Sequence, residues 1–279
     1  MAIRPLGSLK AFSAKYGNNR EWYADPFVCS CDGKDYLFVE LMDLRHVYGQ
    51  IAVAPIVDDE IGDFTIVLSE PFHMSFPNVF QWQGKWYMLP EVYMSGEVRL
   101  YECMEFPYRW KLKKVLLDNV ELVDHALYPN DEGYFMVSYD IRNREHKYNH
   151  IYKLNMLNLT IKEIKPAGNW CKERPGSTFY KRNGKFYHCI QDCNEVYGHH
   201  MHLWQVDEFT PDVFQEHEQK EIFIDDLKIS PDNGNLARTH TYNCNDKYEV
   251  IDFWFDKLYI NKPVNMIYQD IIHADRRHK

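Results

Sequence analysis

The sequence predicts an all-β chain, a five-bladed β-propeller of four-stranded antiparallel blades, on three observations. First, one unit recurs: a strand, a tight turn and an aromatic-led strand, as in "EWYADPFVCSCDGKDYLFVE" (21–40), "SFPNVFQWQGKWYMLPE" (75–91), "LVDHALYPNDEGYFMVS" (122–138), "RPGSTFYKRNGKFYHCIQD" (174–192) and, more weakly, "RTHTYNCNDKYEVID" (238–252). Second, the turn glycines Gly33, Gly84, Gly133 and Gly184 stand 51, 49 and 51 residues apart, and Asp246 takes that place 62 residues further on. Third, helical periodicity is nearly absent, which argues against a parallel α/β sheet. Closing such units into a ring hides the edges that each sheet would otherwise expose.

Taken in order, each unit opens with an inner strand. The dipeptides Asp-Gly, Gln-Gly, Glu-Gly, Asn-Gly and Asn-Asp that follow suit two-residue hairpins, because they tolerate positive φ. The second strand leads to a third alternating segment ("GQIAVAPI", "GEVRLYEC", "HIYKLNML", "HMHLWQVDE") and then a polar outer edge such as "FTIVLSE" or "WKLKKVLLD". Blades are expected to begin near residues 21, 75, 122, 173 and 236. Residues 1–20 and 253–279 are left to complete the last blade or cap one end. A kelch-type repeat has a similar period, but its paired glycines are missing. With no Gly/Ser-rich or Pro-rich linker, residues 1–279 are read as a single domain.

Composition bounds the partners. A chain of 279 residues that is 45% hydrophobic and 15% aromatic can build a packed core. A net charge of −9 argues against a nucleic-acid partner. No apolar run approaches the roughly 18 residues of a membrane span, and the N-terminus lacks the apolar core of a secretory signal, so a soluble, cytoplasmic protein with no transmembrane segment is expected. The seven cysteines are scattered and mostly in strand-like runs, which reads as buried free thiols. In "GHHMH" (198–202), His200 and His202 share a strand face. A solvated strand is preferred to a metal site there, and no metal or cofactor is assigned from the residues.

In a propeller the inner strands converge on one channel, so equivalent positions meet. Aligned on Tyr36, Tyr87, Phe135 and Tyr187, the copies put Asp25, Phe76, Asp124 and Gly176 in one slot, eleven residues upstream. A lone Asp-Pro is ordinarily turn punctuation, with the carboxylate capping backbone N–H groups. The match between Asp25 and Asp124 shifts the balance toward a site. Glu40 and Glu91 lie four residues beyond the aromatic, Asp192 falls in the corresponding region of blade four, and Arg174 and His240 bring polar groups from blades four and five. Paired carboxylates in a cleft suit glycosyl chemistry, and Trp22, Tyr23, Trp82, Trp86, Tyr93 and Trp170 are platforms on which a sugar face can stack.

These segments, in order and over roughly residues 20–245, resemble the five-bladed domain at the N-terminus of plant glucosamine inositolphosphorylceramide transferase. More distantly they are similar to the arabinanase, β-xylosidase, invertase and levansucrase glycosidases. The resemblance implies a carbohydrate-active enzyme, hydrolysing or transferring a glycosyl unit, in which Asp25 is the base or nucleophile and Asp124 its electrostatic partner. The glycosidases place their acid, a Glu, where this chain has Arg174 and Pro175, which leaves Glu91 or Asp192 as acid. Arg174, His240, Trp22 and Tyr23 are then expected to bind substrate: a sugar or glycan, with a nucleotide-sugar or lipid-linked donor suited to Arg174. His240 is the residue that the resemblance offers to a structural axial ion. The alternative is a non-catalytic glycan-binding or scaffold module in polysaccharide assembly.

Overall fold

The protein is described by a computed structural model covering residues 1–256 apart from 10, 19, 143–148, 195, 228 and 230–234; the expectation for residues 257–279 lies outside the described residues. It is a ring of five small antiparallel sheets, the predicted five-bladed propeller. Blade one contains Glu21–Cys31, Lys34–Asp43 and Gln50–Val57, with Thr65–Leu68 and the short Glu60–Ile61 both pairing the third strand. Blade two is Ser75–Trp82, Lys85–Glu91, Glu97–Glu105 and Arg109–Asp118. Blade three is Leu122–Asn130, Gly133–Asp140, Asn149–Asn155 and Thr160–Ile164. Blade four is Tyr180–Arg182, Lys185–Asp192, His200–Phe209 and Phe214–Ile222.

Blade five is built from both ends of the described chain. Tyr242–Cys244 pairs Tyr248–Ile251, and the outer half of the sheet is Ala2–Pro5 and Ser13–Ala14. The register runs from Ala2 opposite Ile251 to Pro5 opposite Tyr248. Residues 1–14 thus complete the last blade. Segment 235–238, where that blade was expected to begin, instead pairs Trp254–Asp256 in a separate two-stranded ladder. In blade four, the expected start near 173 yields only a bridge between Pro175 and Ile190, because proline has no N–H for a continuous ladder.

The hairpin turns follow the dipeptides in three blades. Asp32-Gly33, Gln83-Gly84 and Asn183-Gly184 all have positive φ at both positions, as a two-residue I′ turn requires. Blade three differs: Asn130 pairs Gly133 across an Asp131-Glu132 turn, and the Asn130 side chain accepts the Glu132 N–H at 2.9 Å. In blade five the Asn245 side chain accepts the Lys247 and Tyr248 N–H groups, each at 2.8 Å, so a side chain shapes that turn.

Apolar side chains on the two faces of each blade meet those of its neighbours. Five clusters result, one between each adjacent pair of blades, including Phe27, Phe76 and Met88 between blades one and two, and Ile3, Val39 and Val250 between blades five and one. Full burial of each such side chain contributes about 1.5–3 kcal/mol, and the cluster at the junction of blades five and one closes the ring. The cysteines are all free thiols, but only Cys29 and Cys189 are buried; the other five are partly exposed.

Candidate functional site

The slot shared by Asp25, Phe76 and Asp124 is a β-bulge. In each of these blades the pairing between first and second strands skips at this position, between Ala24 and Phe27, Ser75 and Asn78, and Val123 and Ala126. The three residues have φ of 50°, 44° and 50°. A bulge re-aims its side chain out of the strand's ordinary alternation. For Phe76 a positive φ is strained, and its N–H is held by Asp25 Oδ2 at 3.0 Å. Asp25 therefore anchors the bulge of the next blade as well as presenting a carboxylate. The other bulge amides are held in a similar way: Asp124 N–H by Glu91 Oε2 at 3.3 Å, and Asp25 N–H by Asp252 Oδ2 at 3.2 Å.

Asp25, His240 and Asp252 form one buried group. The His240 ring lies between two carboxylates, Nε2 3.3 Å from Asp25 Oδ1 and Nδ1 2.7 Å from Asp252 Oδ2. The second contact is an ion pair without hydrogen-bond alignment. Asp252 Oδ1 accepts the N–H groups of His240 and Thr241, both at 3.0 Å, while the Thr241 hydroxyl donates to Asp25 Oδ1 at 2.7 Å. Burial works against a charge on His240, but Asp252 and Asp25 outweigh it and hold the ring protonated well above its ordinary range. Burial likewise disfavours ionised Asp25, and the His240 and Thr241 hydrogen bonds overcome it, leaving Asp25 more acidic than usual.

Asp124, Arg174 and Glu91 form the second group. Arg174 Nε donates to Asp124 Oδ2, and its Nη2 lies 3.6 Å from Glu91 Oε2. Gln191 Nε2 donates to the same Asp124 oxygen at 3.1 Å and to the Pro175 carbonyl at 2.7 Å. Burial pushes Arg174 toward neutrality, but Asp124 more than restores its charge. Glu91 is the opposite case. Burial and then the Asp124 charge push its carboxyl well above the usual range. Glu40 is raised in the same way by burial and by Asp25, with His73 Nε2 3.4 Å away.

The structure thus brings together Asp25, Asp124, Glu91, Arg174 and His240. Asp192 stands apart from them. Its strand neighbour Gln191 points at Asp124, so alternation sends Asp192 to the other face, where its Oδ1 accepts the Asn194 N–H at 2.7 Å. Trp22 is half-buried at the start of the Asp25 strand. Several of the aromatic platforms are packing residues: Tyr23 lies on Phe64 at 4.4 Å, Trp86 on Phe106 at 4.5 Å and Trp170 on Phe214 at 5.6 Å. The aromatic that flanks both groups is Tyr197, 5.2 Å from the His240 ring and beneath the Arg174 guanidinium at 5.3 Å. None of the two groups' side chains lines the cleft of about 230 Å³ bounded by Asn149, Lys165, Trp170 and Lys172.

Sequence reasoning missed Asp252, Thr241, Gln191 and Tyr197. The spacing that picked Glu40 and Glu91, four residues beyond the second-strand aromatic, also picks Gln191 after Tyr187 and Asp252 after Tyr248. Thr241 and Tyr197 carry no comparable signal. An ion held directly by His240 does not fit this arrangement, although ligand atoms of Asp25, His240 and Asp252 lie within 4.8 Å of one another. Both ring nitrogens face carboxylates, Nε2 toward Asp25 and Nδ1 toward Asp252, and a ring nitrogen that carries a proton toward its carboxylate has no lone pair for a metal.

The ring and its convergent carboxylates define a five-bladed propeller with the fold of known glycosidases. Its described residues superpose on an α-L-arabinofuranosidase from Lactobacillus brevis with a TM-score of 0.58, at 15% identity over 86% of each chain. For the catalytic domain of the Coprinopsis cinerea GH62 α-L-arabinofuranosidase the TM-score is 0.59, at 12% identity over 86% of this chain and 81% of that one. At such identities the likeness is one of fold. The family model for the N-terminal region of glucosamine inositolphosphorylceramide transferase 1 matches residues 10–249, and the chain belongs to that family. It is 28% identical over 216 residues to glucosamine inositolphosphorylceramide transferase 1 of Oryza sativa subsp. indica, and 29% over 212 residues to that of Arabidopsis thaliana. These alignments cover 72% and 69% of this chain but only 28% and 26% of the plant proteins, so the chain spans about a quarter of those relatives.

Proposed function

We propose that this propeller is a carbohydrate-recognition domain that binds a glycosyl unit at the mouth formed by Asp25, Asp124, Arg174, Tyr197 and His240, in service of glycan assembly. The observation that carries this reading over bond cleavage is the saturation of the two aspartates by protein donors. Asp25 is engaged by Phe76, Thr241 and His240, and Asp124 by Arg174 and Gln191. A carboxylate committed to that many protein donors is a poor base or nucleophile, because attack would require giving up hydrogen bonds that hold the bulges. Arg174 and Tyr197 offer what sugar recognition uses, a fixed fork of donors beside an aromatic face. A phosphate-bearing donor, whether a nucleotide-sugar or lipid-linked, would have to compete with Asp124 for Arg174, which makes an uncharged glycan the preferred ligand.

A second reading, glycosyl transfer or hydrolysis, is favoured by one contrast: His240 and Thr241 make Asp25 more acidic than usual, whereas burial and Asp124 make Glu91 less acidic. Environments that push two carboxyl groups apart in this way set up a base and an acid. A glycan and nucleotide-sugar binding screen, run with a turnover assay on the hits, separates the readings. Recognition predicts binding that Tyr197→Ala weakens at least tenfold and no turnover. Turnover abolished by both Asp25→Asn and Glu91→Gln would replace recognition with catalysis, and the absence of any carbohydrate ligand would overturn both.

A further inference from the structure

On the two middle strands of blade four, on the sheet face opposite Gln191, Asp192, His200 and His202 converge. Asp192 and His200 are direct cross-strand partners, and His202 lies two residues on, so all three share one face of the sheet. One ligand atom from each lies within 4.8 Å of the others. Asp192 Oδ2 is 3.7 Å from His200 Nε2 and 3.6 Å from His202 Nε2. Those separations are too long for hydrogen bonds. They are close to the edge of a tetrahedron around a metal with bonds of about 2.0–2.1 Å, for which geometry gives roughly 3.3–3.4 Å.

The surroundings select the lone pairs that a metal needs. Asp192 Oδ1 is already taken by the Asn194 N–H, leaving Oδ2 toward the gap. Glu218 Oε1 lies 2.7 Å from His202 Nδ1, which places a proton on Nδ1 and exposes the Nε2 lone pair. A carboxylate behind a ligating histidine is the arrangement that orients imidazole for metal. His200 Nδ1 contacts His199 Nδ1 at 3.1 Å, and the His200 ring stacks on Phe223 at 4.5 Å, which fixes its plane. His200 is buried, not solvated as the sequence suggested. Glu221, opposite His202 in the next strand, adds negative charge at the rim.

We propose that Asp192, His200 and His202 form a two-histidine, one-carboxylate site for a divalent transition metal of the zinc class, with water completing the coordination. Imidazole nitrogen selects this class over magnesium or calcium. The site lies in blade four, on residues other than the His240 group, and does not depend on what binds at the channel.

The test uses the tag-free chain after chelator treatment, titrated with cobalt(II) alone and followed by its visible absorption. The expected result is saturation at one equivalent per chain, displacement by zinc(II), and loss of binding below about pH 6 as the histidines protonate. His202→Gln and Asp192→Asn, which preserve shape, should abolish the band, with circular dichroism showing the sheet intact. Glu218→Gln should weaken binding roughly 10- to 100-fold. No saturable cobalt binding by the wild-type chain, or binding unchanged in both His202→Gln and Asp192→Asn, would overturn the assignment.

Discussion

At the scale of single residues, the centre of the molecule is held by charges that depend on one another. The Asp252 and Asp25 carboxylates favour a charge on His240 against its burial, and removing one partner leaves that buried charge uncompensated. Asp252→Ala is expected to cost about 3–5 kcal/mol, since it also strands the N–H groups of Asp25, His240 and Thr241; a denaturant melt measures it. The pH dependence follows from the same groups. His240 has a raised pKa, so its stabilisation is complete below its unfolded value of about 6.5 and fades as pH rises through the folded one. Glu40 and Glu91 also keep protons that the unfolded chain releases above about 4.5, so they act in the same direction. Buried His125, lowered to about 3, opposes them only below its unfolded value of 6.5. The buried Met1 amino group, lowered to about 5, acts the opposite way between about pH 5 and 8. The test is therefore a difference: from pH 6.5 to pH 8.5 the unfolding temperature of Glu91→Gln should fall less, or rise more, than that of the wild type, and an identical change in the two proteins would contradict the charge assignment. Asp25 and Asp124 were legible in the sequence because the repeat numbers them alike. Asp192 lies one residue off the spacing, which reverses the face a strand side chain takes, and Gln191 holds the equivalent position.

At the scale of the strand and hairpin, short-range chemistry was read well and long-range partners were not. The Asp-Gly, Gln-Gly and Asn-Gly turns were predictable because positive φ is a local demand. Gly184, at φ 79°, has nothing within 4 Å of a Cβ built on it, so Gly184→Ala tests backbone conformation alone. It should destabilise by about 1–2 kcal/mol, measured by thermal or urea unfolding. The bulges at Asp25, Phe76 and Asp124 were hidden, since nothing in "DP", "FP" or "DH" announces an extra residue. Carboxylates from elsewhere in the chain capture their amides, and such pairings span 51, 33 and 227 residues. The same distance in sequence concealed the role of Tyr197, which reaches Arg174 and His240 from a loop.

At the scale of the whole molecule, five-fold repetition made the ring legible, and the unmatched first residues pointed to its closure. Arg4 Nη2 is 2.6 Å from Glu249 Oε2, beside a ladder that joins Ala2–Pro5 to Tyr248–Ile251. Ile3 is fully buried at this seam. Ile3→Asp should open the ring and expose two strand edges, seen as association on size-exclusion chromatography and a broadened unfolding transition; a monomer that unfolds as sharply as wild type would show that closure is dispensable. The seam also sets an order of events during biosynthesis. Arg4 leaves the ribosome 245 residues ahead of Glu249, which at about 5–20 residues per second amounts to roughly 12–50 s. Through that interval the nascent chain carries an apolar strand with no sheet to join, and blades one to four must stand as an open arc until translation of the fifth supplies its partner.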